Sequence, residues 1–349
     1  MQAEWKEFLK RSGAEFDGAD CVVSYGNPQA ELSVALTGTV FADLSQHGVL
    51  AIRGKDAEAF LQGQFTNDVL HLDAGHSQLN GYCSPKGRLL ASFRLWREDD
   101  SFLLSLPRAM LETVTKRLQM FVMRSAVSLE DASEHRVRLG VAGPDAAAEL
   151  SGLITTLPAA DNEVTRSGGF TVLRLPGAQP RFEVHGALAA MHKLWDVLNV
   201  RGAPVGTAAW ELLEIRAGIP AILPETADAF VPQMVNYQLI GGVNFKKGCY
   251  PGQEVVARMQ YLGKLKRQMY LARVDSPASP RPGDDVYSQD DPEQSAGKIV
   301  NAQPHPDGGY QVLAVVQIAS RENTPVHLGN VQGPELEFGQ QPYALTEAG

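Results

Sequence analysis

A chain of 349 residues, 44% of them apolar, is longer than one hydrophobic core usually organises, so two or three domains are expected. Its 31 basic and 40 acidic residues give a formal net charge of −9, which excludes a surface that attracts nucleic acid or anionic membrane indiscriminately. Cys21, Cys83 and Cys249 are too few and too scattered for a disulfide framework, a C-x-x-C zinc pair or a self-contained four-thiolate cluster, so no resident metal is expected.

In chain order, the opening segment sets Trp5, Phe8 and Leu9 on one side of a helix that should stop near Gly13. It has neither the apolar run nor the cleavage site of a secretory signal, and no stretch reaches the roughly 20 apolar residues of a membrane span. A soluble, cytoplasmic protein with no membrane partner is expected. After a loop rich in Gly and Pro, residues 49–52 read as a buried strand and residues 56–62 as a helix. Tyr82-Cys83 and residues 89–96 flank Ser84-Pro85-Lys86-Gly87, which predicts a hairpin. A strand over 102–106 and a one-faced helix over 110–121 complete an α+β layer.

A second α+β stretch starts near residue 136, with strands over 136–141, 170–175 and 181–185 and a helix opened by Gly143-Pro144-Asp145. Helices over 188–198 and 207–217 follow, the second ended by Gly218 and Pro220. From Leu271 the texture changes to short apolar runs at 298–300, 310–318 and 325–328, cut by Pro, Gly and Asp, which predicts a small all-β domain.

The chemistry concentrates at residues 246–254, Lys246-Lys247-Gly248-Cys249-Tyr250-Pro251-Gly252-Gln253-Glu254. Pro251 pre-sets the second position of a type II turn and Gly252 accepts the positive φ of the third, so Cys249 should lie at a bend near the surface. Two lysines favour its thiolate, and a helix starting at Gln253 would add its positive end. An inert thiol beside a solvated loop is the alternative reading of the same residues.

Between Lys246 and Arg267 the basic residues are Lys246, Lys247, Arg258, Lys264, Lys266 and Arg267, against Glu254 alone. That sign is opposite to the whole chain's. It reads either as a solvated face or as an anion-capturing site beside Cys249, for a carboxylate-rich small molecule or an RNA backbone. The net charge disfavours direct nucleic-acid binding. There is no G-x-x-x-x-G-K-S/T, no G-x-G-x-x-G after a strand and no G-x-S-x-G, so nucleotide-binding and hydrolase readings lack support.

Lys247-Gly248-Cys249-Tyr250-Pro251-Gly252-Gln253-Glu254 resembles the K-G-C-F/Y-x-G-Q-E signature of the YgfZ-type folate-binding proteins, relatives of the glycine-cleavage T-protein. Supporting stretches lie at 60–69, 84–88 and 215–220, with Phe230-Val231-Pro232-Gln233 after them. The resemblance implies an α+β fold of three parts around a central opening. Residues 1–45 with 136–260 would form one folate-binding subdomain, 46–135 a second, and 265–345 a C-terminal β-barrel. It further implies that a tetrahydrofolate or a one-carbon derivative is bound, and that transient iron–sulfur enzyme partners are assembled or repaired, supporting tRNA thiolation. Lys247 and Cys249 would carry the family's functional pair, with Gly248, Tyr250, Gly252, Gln253, Glu254 and Arg258 shaping the turn and rim. Trp210 and Arg216 are candidate folate contacts because their helix matches a ligand-facing segment in relatives; packing or surface pairing is the other reading. A folate-dependent aminomethyl- or methyltransferase acting on a small amine is the alternative function. Ala91-Ser92 stand where the T-protein has an Asp pair, which argues against glycine-cleavage chemistry.

Overall fold

A computed structural model of the chain describes residues 1–123 and 125–345. Helix Ala3–Arg11 buries Trp5 and Leu9, and the Trp5 indole donates to Asp43 Oδ1 at 2.8 Å. The Gly- and Pro-rich loop expected next is largely a helix, Pro28–Thr37. Its start is well made. Asn27 accepts from the Ala30 N–H at 3.1 Å, and Pro28 occupies the first helical turn, where its missing N–H has no helical partner to lose.

The first sheet has the strand order Val164–Ser167, Phe170–Leu175, Arg181–Gly186, Val137–Ala142, Val40–Asp43, Ala203–Pro204. All its pairings are antiparallel except the last. One face packs Phe41, Val141 and Val184 against Leu194 and Trp195 of helix Leu188–Leu198. The Trp195 ring meets Phe41 edge-on at 4.8 Å.

A second sheet, wholly antiparallel, runs Ser77–Cys83, Leu89–Glu98, Ser101–Pro107, His47–Arg53, Ser128–Asp131. Helix Arg108–Val122 lays Met110, Leu111, Val114 and Leu118 on it, as the apolar spacing predicts. The C-terminal sheet begins at Arg267, before the expected change of texture, and runs Val326–Leu328, Asp285–Ser288, Asp291–Pro304, Tyr310–Gln317, Arg267–Val274, Leu336–Phe338. A bridge between His327 and Glu335 brings its two edges together, so the barrel nearly closes.

The three parts share a core. Leu79 and Leu89 of the second sheet pack with Ile215, Ile222 and Tyr237 of the connecting segments and with Met269, Leu271 and Leu313 of the barrel. Helix Thr207–Arg216 lies at the junction, against helix Pro28–Thr37 and barrel strand Asp291–Pro304. No helix among the described residues is long and apolar enough to cross a membrane.

Candidate functional site

The turn at residues 250–253 forms as its residues dictate: the Gln253 N–H donates to Tyr250 O at 3.2 Å, and Gly252 sits at φ 77°, ψ 4°. Helix Gln253–Tyr261 starts directly after it. The hairpin turn at 84–87 closes through Gly87 N–H to Ser84 O at 2.9 Å, with Gly87 at φ 70°. These two turns interlock. A Cβ on Gly252 would lie 2.4 Å from Ser84 O and 2.6 Å from Gly87 Cα, and one on Gly87 would lie 2.8 Å from Val255 Cβ. Both positions therefore need glycine twice over, for positive φ and for close approach. Cys249, just before the turn, is exposed.

Lys247 points the other way. It is only 8% exposed, and its ammonium donates to Gln62 O at 2.6 Å and to Phe65 O, 5.1 Å above the Tyr250 ring. Burial pushes its pKa down to about 8, against the pull of Asp68. Around it, Thr66 Oγ1 donates to Gly242 O at 2.6 Å, Asn67 Nδ2 to Gly241 O at 2.7 Å and the Asn244 N–H to Thr66 O at 2.9 Å. Gln233 Nε2 donates to Val256 O at 2.7 Å, and Ser84 Oγ to Asp228 Oδ1, also at 2.7 Å. The stretches at 60–69, 84–88 and 230–233 thus meet around the loop that carries Cys249. Gln253 Nε2 lies 3.4 Å from Lys247 O, while Gly248, Glu254 and Arg258 are exposed. Lys86, Lys246, Arg258, Lys264 and Lys266 are exposed too, and among the described residues none of them has an ion-pair partner within 4.0 Å. Val255, Tyr261 and Leu262 stand exposed among these cations.

A second feature lies where the three parts meet. An outer chamber of about 580 Å³ is walled by Cys21, Glu211 and Glu214, by Gln46, His47 and Arg108, and by Asn301 and Gln303 of the barrel. It shares His47, Pro107, Glu214, Ile219 and Ala221 with an inner chamber of about 90 Å³, lined further by Phe93, Arg94, Glu183 and Tyr237. Burial works against ionising Glu183, but His185, whose Nε2 lies 2.9 Å from Glu183 Oε1, and then the charges of Arg138 and His47 hold it down at about 2. Burial pushes Glu211 up to about 7, against the hydrogen bond from Gln303 and with help from the charge of Glu214. Glu214 pairs with Arg181. Arg94 is buried and donates to Ser77 Oγ at 2.9 Å and Asn162 Oδ1 at 2.7 Å. Gln46, buried on the outer wall, has partners for neither its Oε1 nor its Nε2 among the described residues.

Helix Thr207–Arg216 does face this cavity, but through Glu211, Glu214 and Ile215. Trp210 is 1% exposed on another side, its ring filling the space beside Gly140 with the Arg181 guanidinium 5.1 Å away. Arg216 is turned to solvent. Trp210 and Arg216, the candidate folate contacts, thus belong to a helix that lines the cavity, but neither side chain is part of its lining. Ala91 is buried in the core of the second sheet. Ser92 lines the inner chamber, but its hydroxyl donates to Pro220 O at 3.1 Å and accepts from the Ile222 N–H at 2.9 Å. Sequence reading missed Arg94, Glu183, Glu211 and Glu214. The signal was there for the first two, as charges interrupting apolar strands in Phe93-Arg94-Leu95 and Phe182-Glu183-Val184.

Two α+β parts around a shared cavity, with a barrel as the third part closing it, define a fold of the glycine-cleavage T-protein type. Glycine cleavage system aminomethyltransferase T from Bartonella henselae superposes with a TM-score of 0.79 at 18% identity, covering 97% of this chain and 96% of that one. The GCVT N-terminal domain model matches residues 10–247. The tRNA-modifying protein YgfZ of Edwardsiella ictaluri (strain 93-146) is 32% identical over 328 residues, 92% of this chain and 97% of that protein. The chain belongs to the GCVT N-terminal domain family, and within it to the YgfZ type.

Proposed function

We propose that this chain binds a tetrahydrofolate, or a one-carbon derivative of it, in the central cavity. In the cytoplasm it would act as an accessory protein that supports iron–sulfur enzyme assembly or repair and thereby tRNA thiolation. The carrying observation is the cavity: its outer chamber alone falls in the roughly 300–1,000 Å³ range of small-molecule sites, and its walls set carboxylates, amides and an arginine among apolar side chains. The residues fit a folate. The amino and ring N–H donors of a pterin call for a carboxylate, which Glu183 and Glu214 offer; the unpartnered Gln46 amide offers a further donor and acceptor. Phe93 and Ile219 give apolar walls for the aromatic parts, and Arg108 a cation for a glutamate tail. When bound, a tetrahydrofolate supplies nitrogens able to carry a one-carbon unit.

Cys249 presents its thiol outside the cavity, on a loop fixed by Lys247 and the interlocked glycines. In this reading Cys249 meets sulfur, iron or a disulfide on a partner protein, and Lys247 staples the loop. The surrounding unpaired cations and exposed apolar side chains suit a transient protein contact. The curated relative's name, tRNA-modifying protein, supports the link to tRNA. Ala91 and the fully engaged Ser92 supply no carboxylate at the positions of the T-protein's Asp pair, which favours the accessory role over an aminomethyl transfer.

Calorimetric titration with reduced and oxidised folates tests the first half. We expect one site per chain, weakened at least tenfold by Glu183→Gln; absence of heat and of competition from every folate would remove the claim. For the second half, Cys249→Ala should keep folate affinity within twofold yet leave tRNA thiolation unrestored in a deletion strain. Full restoration would end the role given to Cys249.

A further inference from the structure

A smaller cavity of about 220 Å³ lies in the seam between the second sheet and the first and shares no lining residue with the two chambers. Its lining includes Arg53, Glu98, His135, Arg136, Arg138 and His185. Two of the three guanidinium groups are neutralised in place. Arg53 pairs with Glu130 and donates from Nε to Ser101 Oγ at 2.8 Å. Arg136 pairs with Glu98, whose other oxygen accepts from Thr171 Oγ1 at 3.2 Å.

Arg138 is different. It is 4% exposed, NH2 donates to the backbone oxygen of His47, and NH1 has no partner among the described residues. No carboxylate of the described residues lies within 4.0 Å of it; Glu183 and Asp43 act on it only across space, and Glu183 Oε1 is already 2.9 Å from His185 Nε2. A guanidinium does not shed its proton in a protein, so it cannot escape the cost of burial by neutralising itself. A buried cation with an unengaged donor, bordering a polar space, calls for an acceptor that carries negative charge.

We propose that this seam cavity binds one small oxyanion, a phosphate or a carboxylate, held by Arg138 NH1 with Arg53 and Arg136 beside it. Asp99, exposed at the rim and in no ion pair among the described residues, repels larger polyanions and sets the limit at a single small group. Because Arg53 belongs to the second sheet and Arg136 and Arg138 lead into and lie on the first, the anion bridges the two parts. The site does not depend on the folate reading.

The test uses the full chain and two probes, inorganic phosphate and acetate, titrated calorimetrically at constant ionic strength. We expect saturable binding at one site per chain for at least one probe, weakened at least tenfold in Arg138→Gln and severalfold in Arg53→Gln. Lys116→Gln, at a surface pair on helix Arg108–Val122, should leave it unchanged. Phosphate alone binding identifies a phosphate site, acetate alone a carboxylate site. No saturable heat from either probe up to about 20 mM, a concentration that would still detect millimolar affinity, overturns the proposal. So does an affinity equal in wild type and Arg53→Gln, which decides the matter even if Arg138→Gln does not fold.

Discussion

Lys247 acts on the loop from beneath and not on the thiol. Its spacing from Cys249 suggested a cation beside a thiolate, but the side chain is drawn beneath the loop to two backbone carbonyls. Lys247→Met should therefore cost about 1–3 kcal/mol in urea denaturation, the usual penalty for buried acceptors left without donors. It should also make Cys249 react less uniformly with a thiol reagent. A stability change below about 0.5 kcal/mol, the level of an ordinary surface substitution, would refute the staple.

Glu211 gives a residue-scale pH test. Its folded pKa, about 7, lies above the ordinary carboxyl value of 4.5, so the protonated form favours the fold. That contribution is full below about 4.5 and is lost as pH rises through 7. Glu211→Gln should flatten the fall in melting temperature between pH 5 and 8, by a few degrees; an unchanged slope would refute it. Cys249 and Gly252 were legible because turn chemistry is local. Glu211 was not, because nothing in residues 207–217 alone shows which side of the helix a barrel strand will cover.

At the scale of elements, the interlocked turns carry the strongest expectation. Gly252→Ala must force a Cβ against Ser84 O and hold positive φ, the latter alone costing roughly 1–2 kcal/mol. We expect clear destabilisation and faster hydrogen exchange over residues 246–256. Gly87→Ala should act on the same contact, so the double variant should lose less than the sum of the singles. The hairpin at 84–87 could be read from sequence, but its partner 165 residues later could not. Helix Pro28–Thr37 was hidden for a different reason: Gly26, Asn27 and Pro28 look like loop residues, yet Asn27 and Pro28 are the start signal of that helix. In strand Asp291–Pro304 only the short apolar run was visible, because its first four residues are exposed and include a proline and two carboxylates.

For the whole molecule, the division into two α+β units and a barrel followed from periodicity and the family signature, while the way they are joined did not. Asn301 of the barrel makes one such joint: its amide accepts from the Ala221 N–H at 2.9 Å and donates to Ala221 O at 3.0 Å. Asn301→Leu removes both bonds and leaves backbone groups unpaired at the junction. We expect a loss of about 1–3 kcal/mol, and calorimetric unfolding that splits into a barrel transition and a main one. A single unshifted transition would show that the shared core alone couples the parts. The same joint borders the outer chamber, so folate affinity should fall with it.

The outer chamber draws its wall from Cys21 near one end of the chain and from Gln303 near the other. During synthesis this makes it a late feature: the two α+β parts can emerge and pack while the barrel strand carrying Asn301 and Gln303 is still inside the ribosome. Until that strand docks, there is no closed cavity and Glu211 has no Gln303 to meet. A ligand of this cavity would therefore recognise only finished molecules, and its presence in the cell would favour completed chains over nascent or truncated ones.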